Sequence, residues 1–366
     1  MKKVLNKNLF LFIPLLILNI ISLLNMINSK LINSSYNNAF LKQFIWIILG
    51  YFFIYIINKF KIFKLLFKYS FYYYLFSIFL LILVLFVGND INGAKCWLNI
   101  FGISFQPSEF VKLTLILYLI NIYNKSTIKS FKDEIFLIIK FFVITLIPSI
   151  LVFLEPDTGA IINYIIILLI MLFSVNLNKW WYISFISIFF IFITLFFITY
   201  FFYQDFLINI FGTSIFYRMD RIINFTNGNS YQLENALITI GSSTFFGVGL
   251  NKILLYIPEA PTDFIFSFSI GNFGILSALL ILLCFLIIII YFLYLENKNN
   301  LNYQKIFIKC YLSILVFHII YNIGMNLGLL PIMGIPLPFL SYGGTNIIIN
   351  YIFLGFIISF RKNYKH

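Results

Sequence analysis

Apolar residues run along this 366-residue chain in long unbroken stretches, not at alternate positions. A helix that crosses a bilayer needs ~20 mostly apolar residues. Stretches such as SALLILLCFLIIIIYFLYL have that length and do not alternate, as the ~10-residue strands of a membrane barrel would. The pattern predicts ten spans, at 9–27, 44–58, 69–88, 107–123, 135–154, 160–176, 180–202, 263–293, 305–327 and 341–360. The first is read as a span and not a cleaved signal, because no small-x-small site follows it. The expected fold is all-α and polytopic, one transmembrane domain over 1–366, with a large extracytoplasmic loop at 203–262. That loop mixes GSSTFFGVGL with YRMDRIINF, and SYQLENALITIGSS within it reads as a helix.

The polar positions between the spans set the orientation. Lysines and arginines are dense in the segments on the N-terminal side and sparser in the longer opposite loops. The positive-inside rule makes the N-terminal side cytoplasmic, and ten spans return the C-terminus to it. Composition narrows the picture further. With 62% hydrophobic and 10% charged residues, a soluble enzyme, a disordered chain and a disulfide scaffold are excluded. The formal charge of +13 reads as positive-inside bias and attraction to anionic lipid, not to nucleic acid. Three scattered cysteines and two histidines, His318 and His366, exclude a His-based triad or a His-rich metal site.

Four clusters on the outer side break the apolar monotony. In NGAKCWLNIFGISFQPSEFVKL, Pro107 suits a helix start, and Glu109 and Lys112 at i,i+3 share one face. A capped helix start with one surface ion pair also explains them. In LEPDTGA, Asp157 sits in a tight turn between two spans, where an N-cap is the simplest role. In YIPEAPTDFIFSFSIGNFG, Glu259 and Asp263 flank Pro261 at the start of the longest apolar run. Asp263 is either an N-cap or a partly desolvated carboxylate able to act as a general base. NIGMNLGLLPIMGIPLPFLSYGGTN, dense in proline and glycine, reads as a shaped re-entrant loop lining a cleft.

In this order and spacing the clusters resemble the SEDS family (shape, elongation, division and sporulation) of RodA, FtsW and SpoVE. The matching strings are GAKCWL, QPSEFVKL, EPDTGA, YQLENALITIGSSTFFGVGL, IPEAPTDFIFSFSIGNFG and NIGMNLGLLPIMGIPLPFLSYGGT, over roughly 93–345. The resemblance implies a peptidoglycan glycosyltransferase that polymerises lipid II at the outer face of the bacterial cytoplasmic membrane. It implies a class B penicillin-binding protein as partner, alongside the proteins of an elongation or division complex. Asp263 falls on the family's essential acid, Glu109 and Lys112 on its paired charges, and Pro336, Pro338, Ser341, Gly343 and Gly344 on its cleft loop. The short N-terminus points to the RodA-like, elongation branch. The alternatives are a division-specific FtsW-like polymerase and a flippase for the lipid-linked precursor. Five positions depart from the family pattern: Cys96 for Arg, Glu155 for Gln, Pro261 for His, and Gly271-Asn272 for a Glu pair.

An α-linked donor and a β-1,4 product require one inversion, hence a base for the acceptor hydroxyl and positive charge for the leaving pyrophosphate. Asp263 is the expected base. Lys95, Lys112, Arg218 and Arg221 are outer cations suited to phosphate, with Asp157 and Glu259 beside them. A divalent cation, Mg or Mn, held partly by Asp263, is the expected cofactor, with no organic one.

Overall fold

The computed structural model describes residues 2–60, 62–91, 94–100, 103–175, 177–202 and 230–360. Each predicted span coincides with a helix: α1 (Lys2–Ser29), α2 (Ala39–Phe60), α4 (Ser70–Val87), α5 (Pro107–Lys125), α6 (Phe131–Leu154), α7 (Thr158–Ser174), α8 (Lys179–Phe202), α10 (Ile265–Lys298), α11 (Asn302–Asn326) and α12 (Gly344–Phe360). Short α3 (Ile62–Lys68) follows α2, and α9 (Tyr231–Ser242) lies where SYQLENALITIGSS predicted a helix. By length and composition α1, α2, α4, α6, α10 and α11 are able to cross a membrane, and α7 and α12 are shorter apolar helices. The rest of the predicted loop, 203–229, lies outside the described residues, and Arg218 and Arg221 with it.

Among the described residues the fold departs from all-α at one place. There β1 (Asn89–Ile91), β2 (Ala94–Ile100) and β3 (Ile103–Phe105) form a small antiparallel sheet, in that order. Trp97 pairs with Asn89, and Asn99 with Ser104. In the sequence Asn92-Gly93 separates the first two runs, and Asn-Gly is a strong hairpin signal. Apolar stretches on either side hide runs this short.

Helix α5 is the hub. It is buried on every face, including Val111, Leu115, Leu119 and the polar Glu109 and Lys112. Exposed apolar residues such as Phe52 on α2, Phe79 on α4, Leu146 on α6 and Leu283 on α10 form the lipid-facing surface. With lipid as solvent, buried polar side chains must find partners inside the bundle. They do so across helices: Asn19 donates to Tyr51 and Tyr351, and Asn25 donates to Ser269.

The longest apolar run is not one continuous helix. At Gly274 the backbone of α10 turns to φ +73°, ψ −175°. Residues 244–249 enter the break. Val248 and Gly249 donate to the carbonyls of Gly271 and Asn272, and Ile275 and Leu276 donate to those of Thr244 and Phe245. The freed backbone groups of a broken helix are thus satisfied by protein. A Cβ at 274 would collide with the Phe245 carbonyl. Positive φ with a side chain costs about 1–3 kcal/mol, and the collision adds to it. Gly274→Ala is therefore expected to destabilise the protein by at least about 2 kcal/mol, read as a lowered thermal unfolding midpoint. An unchanged midpoint would show that the break tolerates a side chain.

Candidate functional site

The 257–264 and 331–343 loops meet at one end of the bundle, and the start of α7 reaches the second of them, since a Cβ on Gly159 would lie 3.2 Å from Ile335. The two loops are bonded largely at main-chain atoms. Tyr342 N donates to the Pro261 carbonyl (2.8 Å). Ser341 Oγ donates to the Thr262 carbonyl (2.6 Å) and accepts from Leu337 N (2.8 Å). Asn322 on α11 donates to the carbonyls of both Asp263 (2.9 Å) and Ile335 (2.8 Å), and Asn326 adds a second bond to Asp263 (3.1 Å). The main chain at Asp263 is thus fixed by two amides one helical turn apart. Asn322 and Asn326 sit in YNIGMN, and their i,i+4 spacing inside an apolar span was the signal that sequence reasoning passed over.

Asp263 is half-buried. It is not the N-cap of α10, since that position falls on Phe264. Its own N–H donates to the Glu259 carbonyl, which also accepts from Thr262 and Phe264. A methyl group on Gly334 (φ +64°) would lie 3.4 Å from Asp263 Oδ2, so glycine leaves one side of the carboxylate uncrowded. Gly334 was not among the residues singled out. Glu259 adopts φ +55°, and its Oε2 accepts from Tyr36 (3.1 Å) and Thr262 (3.0 Å). Burial, then the Glu259 charge, pushes the Tyr36 hydroxyl above its ordinary range, so it stays a donor.

Asp157 is the N-cap of α7, as expected, and holds the start of α5 as well. Oδ1 accepts from Ala160 N (3.1 Å) as the N-cap of α7, and Oδ2 accepts from Gln106 (2.9 Å) and Ser108 (3.0 Å). Ser108 therefore does not cap α5. Gln106 holds the N-cap position, with Pro107 inside the first turn as expected. Gln106 N in turn donates to Thr345 Oγ1, which ties α5 to the start of α12.

The Glu109–Lys112 pair is not a surface pair. Lys112 Nζ lies 2.7 Å from both Glu109 oxygens, and the two side chains are 3% and 8% exposed. Its i,i+3 spacing was legible, and its burial was not. Next to it, His318 Nε2 bonds Asn163 Oδ1 (3.0 Å).

The remaining expected site residues divide. Lys95 is exposed on β2. Pro336 and Pro338 shape the loop, whereas Ser341 is fully buried and staples two loops instead of facing the cleft. Gly344 packs against Trp46, where a Cβ would come within 2.6 Å of the ring, and Gly343 is half-buried beside it. At the Glu-pair positions, a Cβ on Gly271 would approach Thr239 Cγ2 at 2.7 Å, and Asn272 donates to Asn25 Oδ1 (2.8 Å). Helix packing against α9 and α1 has replaced two carboxylates.

Glu155 is fully buried, and among the described residues neither carboxylate oxygen has a hydrogen-bond partner. Burial first, then the neighbouring Asp157, pushes its pKa up to about 8. A carboxyl group that binds its proton more tightly when folded stabilises fully below its unfolded value near 4.5, and that contribution fades as pH rises through about 8. Glu155→Gln keeps the shape and removes the titration. It is expected to leave stability unchanged near pH 4.5 and to raise it at pH 8.5. The ceiling of that gain is on the order of 4 kcal/mol. Thermal unfolding of both forms across this range measures it, and parallel curves would show that Glu155 does not titrate there.

As a place for a divalent cation, this end offers few ligands. Among the described residues no three His, Cys, Asp or Glu side chains come together. Glu259 is engaged by two hydroxyls. One carboxylate with water and substrate phosphates is how Mg²⁺ is commonly held, and Asp263 fits that mode.

Fold and site together define a multi-pass membrane protein with a half-buried carboxylate, Asp263, among packed loops at one end of its bundle. The chain belongs to the FtsW/RodA/SpoVE family: the family profile, described as "Cell cycle protein", matches residues 4–366. It is 34% identical over 307 residues to a probable peptidoglycan glycosyltransferase FtsW of Wigglesworthia glossinidia brevipalpis, covering 80% of this chain and 75% of that one. A protein of the same name from Coxiella burnetii is 31% identical over 345 residues, covering 87% and 85%. The fold matches a chain from a study titled "Structural coordination of polymerization and crosslinking by a peptidoglycan synthase complex" (TM-score 0.76, 21% identity, 97% and 98% covered). It also matches the rod shape determining protein RodA of Thermus thermophilus (TM-score 0.66, 22% identity, 96% and 97% covered).

Proposed function

We propose that this protein is an inverting glycosyltransferase that polymerises lipid II into glycan strands at the outer face of the cytoplasmic membrane. The observation that carries the reading is Asp263, a half-buried carboxylate whose backbone is pinned by Asn322 and Asn326 beside the 331–343 loop. The names of the relatives support the reaction class. In a single displacement the acceptor hydroxyl gives its proton to an Asp263 oxygen and bonds to the donor's anomeric carbon. The bond from that carbon to the pyrophosphate oxygen breaks, and the electron pair leaves with the lipid pyrophosphate. Lys112 and Glu109 form a buried ion pair near this end of the bundle, and Lys95, Arg218 and Arg221 are proposed to meet the phosphates. Asp263 is the proposed ligand of a divalent cation, which supplies charge neutralisation at the pyrophosphate when bound.

The branch is read from the relatives. The relatives at 31–34% identity carry the name FtsW. Structural likeness at 21–22% identity speaks to fold alone. A division role is therefore favoured, with a class B penicillin-binding protein as partner. Depletion in cells separates the two: filaments indicate division, and rounded cells elongation. The purified protein, with and without that partner, is expected to convert lipid II to polymer. Translocation of lipid II without polymer would favour a flippase. The orientation is tested by reporters active only outside the cell, expected to work within 203–262 and to stay silent at the C-terminus. The reverse pattern would move every outer residue inside.

A further inference from the structure

At the end of the bundle opposite Asp263 lies a cavity of about 580 Å³ that the proposed reaction does not use. It is formed where α5 ends, by the 126–130 connection and by the first turns of α6. Three cations line it, Lys125, Lys132 and Lys140, with Ile122, Phe136 and Leu137 as an apolar wall. We propose that this cavity binds the phosphate headgroup of an anionic phospholipid, with the acyl chains against the apolar wall.

The charge balance of the cavity favours an anion. Its one acid, Asp133, is already engaged: its Oδ2 accepts from Lys129 N, Ser130 N and Ser130 Oγ in a capping box. The adjacent Glu134 is engaged elsewhere, accepting from Trp181 Nε1 on α8 (2.8 Å). The three lysines make no ion pair among the described residues.

Depth is the second argument. Lys140 lies nine residues into α6, roughly 14 Å along its axis at the usual rise, beyond the polar first turn and the apolar run Ile135–Ile139. A charge at that depth is costly unless it reaches the interface or a counter-charge. Its ammonium sits 4.4 Å over the Phe136 ring, one turn back toward the helix start, so the side chain bends into the cavity. The level is marked by aromatic residues: Phe131 stacks on Trp181 (5.2 Å), and Trp180 is 66% exposed. Exposed tryptophan at a helix end is the signature of the headgroup layer. A free phosphate ion would have no use for the apolar wall, whereas a lipid uses both parts.

The test is native mass spectrometry of the full-length protein titrated with phosphatidylglycerol and phosphatidylcholine. Phosphatidylglycerol is expected to bind more tightly and to survive removal of the other lipids. Lys125→Gln/Lys132→Gln/Lys140→Gln should weaken its tightest binding by roughly tenfold to a hundredfold. The matched control, Lys59→Gln/Lys64→Gln/Lys68→Gln, removes three exposed lysines from the same end and should change it little. Equal losses in both variants would overturn the proposal in favour of diffuse attraction. Displacement of the lipid by millimolar inorganic phosphate would overturn it in favour of a free-ion site. On the unaltered protein, a photoactivatable phosphatidylglycerol should crosslink within 122–140, and crosslinking that avoids this segment would also overturn it.

Discussion

Asp263→Asn is expected to leave the protein folded, at normal levels in the membrane and bound to its partner, with almost no polymer formed. The main chain of this segment is held by other groups. Asn322 and Asn326 hold the Asp263 carbonyl, its N–H reaches Glu259, and the α10 cap position belongs to Phe264. Asparagine preserves each of these and occupies the same volume beside Gly334. What it cannot do is accept a proton from the acceptor hydroxyl. Loss of a general base alone lowers a rate about 10²–10⁴-fold, and an amide is also a poorer ligand for a hard cation. The measurement is lipid II polymerisation by purified protein. A variant that polymerises at the normal rate would move the base to another outer acid, Asp157 first. That residue is already held by three donors, so the move would need one of them to let go.

Lys112→Ala is the second large effect, and here stability changes too. The lysine is the ion partner of a Glu109 side chain that is 8% exposed. Removing it strands a buried carboxylate, and breaking a buried pair this way typically costs about 3–5 kcal/mol. A surface pair would have been worth about 0–1 kcal/mol. The thermal midpoint of Lys112→Ala should therefore fall clearly, along with activity. Glu109→Gln/Lys112→Met removes both charges and keeps the volume, so much of the lost stability should return. If polymerisation returns as well, the pair is architectural. If the double variant is stable and inactive, the charges act on substrate or on the cleft that holds it.

These two residues also mark how far the sequence could be read. The spacing of Glu109 and Lys112 predicts their contact, because i and i+3 share a helix face. Their burial depends on α4, α7 and α11 closing around α5, and nothing local encodes which helices do so. Asp263 stands out in sequence as an acid beside the longest apolar run. Its fixed backbone comes from Asn322 and Asn326, about sixty positions away.

The apolar runs by themselves marked where helices form, because a bilayer-length stretch without alternation has one stable form when no water can satisfy its backbone; among the described residues six are long and apolar enough to cross a membrane. Family membership was equally legible, since IPEAPTDFIF and GIPLPFLSYGG are local strings that need no fold to be recognised. Tertiary structure decided what those strings do. Ser341 and Gly344 belong to the cleft loop in sequence, yet Ser341 is a buried staple and Gly344 a close contact with Trp46. Gly274 lies in an apolar run that reads as one helix, and only the 244–249 segment entering from outside reveals the break. Glu155 reads in sequence as one more outer acid, and only its enclosure, with Asp157 beside it, raises its pKa to about 8. The reason is common to all of them. Helix formation answers to a window of about twenty residues, whereas burial, partnering and ionisation answer to neighbours that the chain brings together from far apart.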